Sequence, residues 1–66
     1  MNKLLEQLNN LQFSKDLCID TLKNKRLECV ATIGEKSKIE YIIFYQNVFL
    51  LKTEDFKKAI KEYENL

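Results

Sequence analysis

Histidine, proline and tryptophan are missing from this 66-residue chain, and glycine occurs once. Without histidine there is no imidazole base, so Ser-His and Cys-His nucleophile pairs are excluded. A single glycine cannot build a Gly-rich phosphate loop. Only two cysteines are present, Cys18 and Cys29. A disulfide between them needs an oxidising compartment, and a zinc site within one chain would have to borrow carboxylates, which structural sites rarely use. A four-cysteine site shared by two copies is the remaining metal option. Reduced, partly buried thiols are the better reading, with no cofactor and no metal.

Charge of one sign is lacking too. Eleven basic and ten acidic residues leave a net charge of +1, which creates no global field for nucleic acid or an acidic membrane. The opening Met1-Asn2-Lys3-Leu4-Leu5-Glu6-Gln7 resembles a signal peptide only superficially, because Glu6, Gln7, Asn9 and Asn10 interrupt any apolar core. The longest apolar run, residues 39–52, is too short to span a bilayer and carries Gln46 and Asn47 at its centre. These features describe a soluble cytoplasmic protein. The initial Met and the absence of a linker read as one complete small domain over residues 1–66, near the lower size limit for folding without staples. Enrichment in Asn, Lys, Ile, Leu and Glu suits an AT-rich bacterial or phage gene.

What the chain does have is periodicity. Leu4, Leu5, Leu8 and Leu11 recur at helical spacing, predicting an amphipathic helix of about three turns with a soft end near Gln12-Phe13. Ser14 could cap a further helix over 15–25, but the β-branched Ile19 and Thr21 favour a strand over 17–22. Residues 27–33 alternate as a clearer strand, closed by Gly34-Glu35-Lys36-Ser37 as a hairpin loop. The run 39–52 supplies strands 39–45 and 48–51 around a Gln46-Asn47 turn, since Asn tolerates positive φ. Thr53 then serves as N-cap for a C-terminal helix with Phe56, Ala59, Ile60 and Tyr63 in one stripe. The expected fold is α+β: a small antiparallel β-meander of three to four strands flanked by an N-terminal and a C-terminal helix, α-β-β-β-β-α.

Register follows from the loop lengths. A four-residue Gly34–Ser37 loop sets Cys29 opposite Ile42 and Leu27 opposite Phe44. The Gln46-Asn47 turn sets Phe44 opposite Phe49, Ile43 opposite Leu50 and Ile42 opposite Leu51. One face then collects Leu27, Cys29, Ile42, Phe44, Phe49 and Leu51 as the expected core beneath both helices. The other collects Val30, Ile39, Tyr41, Ile43, Tyr45, Val48 and Leu50. Tyrosine on a half-wet apolar surface is typical of interfaces, and a patch of that size is rarely left bare.

Catalytic groups are scarce. Asp16, Asp20, Glu28, Glu35 and Glu40 are dispersed, and a metal-nuclease Glu-x-Lys fails because Glu28-Cys29-Val30 lacks the lysine. The chain is therefore read as a non-enzyme: a small interaction module, a stoichiometric inhibitor or adaptor for a larger protein, with homodimerisation through the open face as the related option. The expected partner residues are Tyr41, Ile43, Tyr45, Val48 and Leu50, and Ile43→Lys should abolish binding with the fold intact. The alternative is a small nucleic-acid-binding regulator using Lys23, Lys25, Arg26, Lys36 and Lys38 at basic hairpin tips, although interleaved acids count against it.

Overall fold

The computed structural model describes residues 3–66; Met1, Asn2 and the side chain of Leu5, part of the expected leucine stripe, lie outside the described set. The order is α1 (Lys3–Leu8), β1 (Leu11–Asp20), β2 (Lys25–Ile33), β3 (Lys38–Tyr45), β4 (Val48–Thr53) and α2 (Phe56–Glu64). The strands form one antiparallel meander in the order β1-β2-β3-β4, so the expected α+β architecture is observed. Helix α1 is shorter than its leucine spacing implies. Asn10 takes a left-handed φ of 62°, which stops the helix, and Leu11 becomes the first residue of β1. Residues 17–20 of the strand expected at 17–22 are thus the end of a ten-residue strand, while Thr21 and Leu22 fall in the turn that follows.

Local turn chemistry accounts for the other corners. Gln46 and Asn47 both have positive φ, 52° and 64°, as a two-residue hairpin turn of the primed kind demands. The Asp20 carboxylate accepts from the backbone N–H groups of Leu22 and Lys23, closing the β1–β2 turn. Helix α2 is capped by Asp55 rather than Thr53: Asp55 Oδ1 accepts from the Lys58 N–H at 3.1 Å, while Thr53 Oγ1 accepts from the Asp55 N–H. Gly34 is set by close approach. A Cβ there would stand 2.7 Å from Asn9 Oδ1 and 2.9 Å from the Asn10 nitrogen.

The register differs from expectation by one residue, and the difference exchanges the two faces of β3. Thr32 pairs with Lys38, so residues 33–37 make the connection and Leu27 sits opposite Ile43, Cys29 opposite Tyr41. In the four-residue-loop register Glu40 would have pointed under the helix. Burying an unpaired carboxylate costs several kcal/mol. In the observed register it lies on the open face, between Lys38 Nζ at 3.6 Å and Lys52 Nζ at 3.5 Å. A bulge at Leu50 then corrects β4. Phe49 faces Phe44, but Leu51 faces Ile43 and Lys52 faces Ile42, which keeps Leu51 on the core side and Lys52 off it. A second bulge, between Asp16 and Cys18, falls on the other edge strand beside the same Leu27–Ile43 row.

The core is consequently the reverse of the expected one on β3. Leu27, Ile43, Ala59 and Tyr63 are its buried apolar residues, with Tyr41, Leu51, Ile60 and Leu66 packed around them. Ile43 is 1% exposed. It cannot be an interface residue, and Tyr41, half-buried against Phe56 with ring centroids 5.3 Å apart, is a core margin. Ile42, Phe44 and Phe49 stand on the open face instead. Helix α2 packs on β2, β3 and β4; on the opposite face Thr32 is buried as well, at 8% exposure.

The C-terminal end of α2 is held by a cation. Lys25 is buried, and its Nζ donates to the main-chain oxygen of Tyr63 at 2.9 Å and of Leu66 at 3.4 Å while lying 4.5 Å from the Tyr63 ring centre. The Tyr63 hydroxyl in turn donates to the Lys25 carbonyl at 3.4 Å. A positive charge at a helix C-terminus offsets the unpaired carbonyls and the dipole. Burial, with the negative charge that Cys18 and Asp20 contribute, raises the Tyr63 phenol above its ordinary value of 10.0.

Two outcomes follow. Ile43→Lys removes the fold, and Ile43→Ala costs roughly 2–5 kcal/mol; urea unfolding followed by circular dichroism measures both. Because the folded phenol ionises later than the unfolded one, the stability held by neutral Tyr63 is complete below pH 10 and declines as pH rises through the folded value. Tyr63→Phe should flatten that alkaline loss in thermal melts.

Candidate functional site

Away from the seat of α2, two surfaces carry exposed large apolar side chains. The first is the open face near the β1–β2 turn, where the pairing Ile19–Arg26–Phe44–Phe49 forms one row across all four strands. The Arg26 guanidinium lies 4.5 Å above the Phe44 ring centre, and the Phe49 ring meets Phe44 edge-on at 6.2 Å. Arg26 is flanked by Asp16, 3.6 Å from Nε, and by Glu28, 3.7 Å from Nη2. These half-exposed ion pairs contribute little stability, of order 0–1 kcal/mol, but they fix the guanidinium plane. Arg26 Nε is enclosed and has no hydrogen-bond acceptor in reach. Asp16, Ile19, Asp20, Asn24, Arg26, Phe44 and Asn47, with the stem of Lys25, line a cleft of about 360 Å³ at this position.

Apolar residues surround the cleft. Ile19 and Phe49 are more than half exposed, and Leu22 projects from the turn almost fully solvated at 97%. Val48 and Leu50, two of the expected partner residues, are exposed on the neighbouring edge strand. Leu50 also lines a small crevice with Glu62 and Leu66 of α2 and its C-terminal end. The turns beneath are tied together, since the Gln46 N–H donates to the Asn24 carbonyl at 2.7 Å. The cluster therefore stands on two coupled hairpins rather than on a loose loop.

Of the five expected partner residues, Tyr41, Ile43, Tyr45 and Val48, which faces Tyr45, share the helix-side face, and of the five only Val48 and Leu50, both on β4, are exposed. The aromatic pair Phe44 and Phe49 takes the place that the tyrosines were expected to hold. Their signal was legible: Glu40, Ile42 and Phe44 alternate on one side of β3, and a strand face carrying Glu40 is the wet one.

The five basic residues of the nucleic-acid reading do not converge. Lys23, Lys25 and Arg26 lie at one end of the nine-residue β2, and Lys36 and Lys38 at the other, roughly 30 Å away at 3.3 Å per residue. Lys25 is spent on the α2 terminus, Lys23 Nζ donates to the Leu66 main-chain oxygen at 3.2 Å, and Lys38 is paired with Glu40.

Comparison with protein-family models, curated proteins and solved structures found no match.

Among the described residues, no group of three or more His, Cys, Asp or Glu side chains is arranged to hold a metal ion, and both cysteines are free thiols. Among them, too, no helix is long and apolar enough to cross a membrane. The site offers a planar cation on an aromatic base beside the exposed Ile19. Lys25→Met, which keeps the stem and removes the charge, should destabilise the chain by about 1–2 kcal/mol in urea titrations through loss of the helix-end contact. A nucleic-acid role for Lys25 would leave stability untouched.

Proposed function

We propose that this protein is a non-catalytic interaction module, acting in the cytoplasm as a stoichiometric inhibitor or adaptor that docks on a larger protein. The observation that carries this reading is the Arg26–Phe44–Phe49 cluster, an aromatic and guanidinium surface on the sheet face opposite α2. Arginine and aromatic side chains dominate the energetics of protein interfaces, and preorganised ones bind with little loss of side-chain entropy. The carboxylates of Asp16 and Glu28 supply polar groups for register at the rim. Ile19, paired with Arg26 in the same row and 62% exposed, extends the apolar contact beside it.

The test is capture of the partner from the native host with tagged wild-type chain, followed by the mass of the purified complex. A defined complex of fixed stoichiometry is expected. Phe49→Lys and Arg26→Ala, both at exposed or half-exposed positions, should each weaken it by about 2 kcal/mol or more, some thirty-fold in affinity, while the circular dichroism spectrum is unchanged. Equal capture by wild type and both variants would remove this face from consideration.

A further inference from the structure

The second such surface lies at the opposite end of the molecule. Helix α2 covers the helix-side face only from the Lys25 row to the Tyr41 row, where Phe56 closes over Tyr41. Beyond it, towards α1, the same face continues bare through two further rows, Phe13–Ala31–Ile39 and Leu11–Ile33. Phe13 is 61% exposed and Ile39 51%. Neither row contains a charged residue. The open face behaves differently, because its charges are paired within the chain: Arg26 with Asp16 and Glu28, Glu40 with Lys38 and Lys52. One face is built to be wet, and the far half of the other is dry and uncovered.

We infer that a second copy of this chain covers that bare half, so that the protein is a two-fold dimer joined through the Phe13–Ala31–Ile39 row. Three observations select a second copy as the occupant. The first is area. The folded chain exposes 5319 Å². A compact monomer of 7.9 kDa exposes about 4,400 Å² by the usual scaling of surface with mass. The excess of about 900 Å² is close to the ~800 Å² that each partner contributes to a standard stable interface.

The second is shape. The molecule measures 50 × 20 × 16 Å with a radius of gyration of 14.5 Å, against about 11 Å for a compact chain of this length. Two such rods overlapping head to head over their bare halves place each α2 at an outer end. Stacked sheet faces approach to about 10 Å, the thickness a packed helix also needs, so a partner sheet fills the step that α2 leaves.

The third is charge. An uncharged patch on a chain of net charge +1 meets its own copy without repulsion.

The surface is distinct from the Arg26–Phe44–Phe49 cluster, so the two readings fail separately. The test is sedimentation equilibrium of the full chain across micromolar to submillimolar concentration. Wild type should approach twice the 7.9 kDa chain mass. Phe13→Lys with Ile39→Lys should give the monomer mass and raise the dissociation constant by about thirty-fold or more, while Phe49→Lys should stay dimeric. A monomeric wild type, or a dimer indifferent to the Phe13 and Ile39 changes, overturns the inference. Should the double variant lose its circular dichroism, amide spectra of wild type on dilution decide instead. Shifts centred on Leu11, Phe13, Ala31, Ile33 and Ile39 support the dimer; shifts centred on Phe44 and Phe49 overturn it.

Discussion

Everything in this fold depends on closing one row of side chains, Leu27 beside Ile43, beneath Ala59 and Tyr63 of α2. So small a core leaves no surplus, and a chain of this size lives close to the margin of stability. Ala59 lets the helix backbone come close to the sheet. Lys25 then fastens the end of the same helix by its last carbonyls. The two strand bulges lie next to this row, one on each edge strand, where the sheet bends to receive the helix. They also disturb the edges, which discourages open-ended strand pairing.

Much of this architecture was written in the sequence. The four-strand meander, the Gln46-Asn47 turn and the stripe of α2 follow from alternation, Asn at positive φ and helical spacing. The end of α1 did not, because Leu11 fits the helical leucine pattern equally well and only the backbone of Asn10 decides it. The faces of β3 were misassigned for a definite reason: loop length was counted before charge was placed. Glu40 and Lys52 mark the wet side of the sheet, and honouring them requires the longer β2–β3 connection and the Leu50 bulge together. A bulge leaves no local sequence mark, so β4 could be read only after β3.

The same inversion redistributes the recognition chemistry. Tyrosines that looked like interface residues are core margin, and two phenylalanines that looked like core are surface. Arg26 lays its guanidinium plane on Phe44 as well as pairing its charge with Asp16 and Glu28. Lys25 works inside the fold. Strand register, not residue type, determines which residues compose each face.

The length of the sheet relative to α2 has a further consequence, in the way the molecule breathes. Hydrogen bonds of β2 near the turn at 21–24 lie under the helix, whereas those near Gly34 lie beyond its reach. Local opening therefore grades along the two longest strands, from near-global protection beside Leu27 to easy fraying at Leu11 and Ile33. The chain behaves as an anchored half that folds as a unit and a conditional half whose order is set by whatever lies against it.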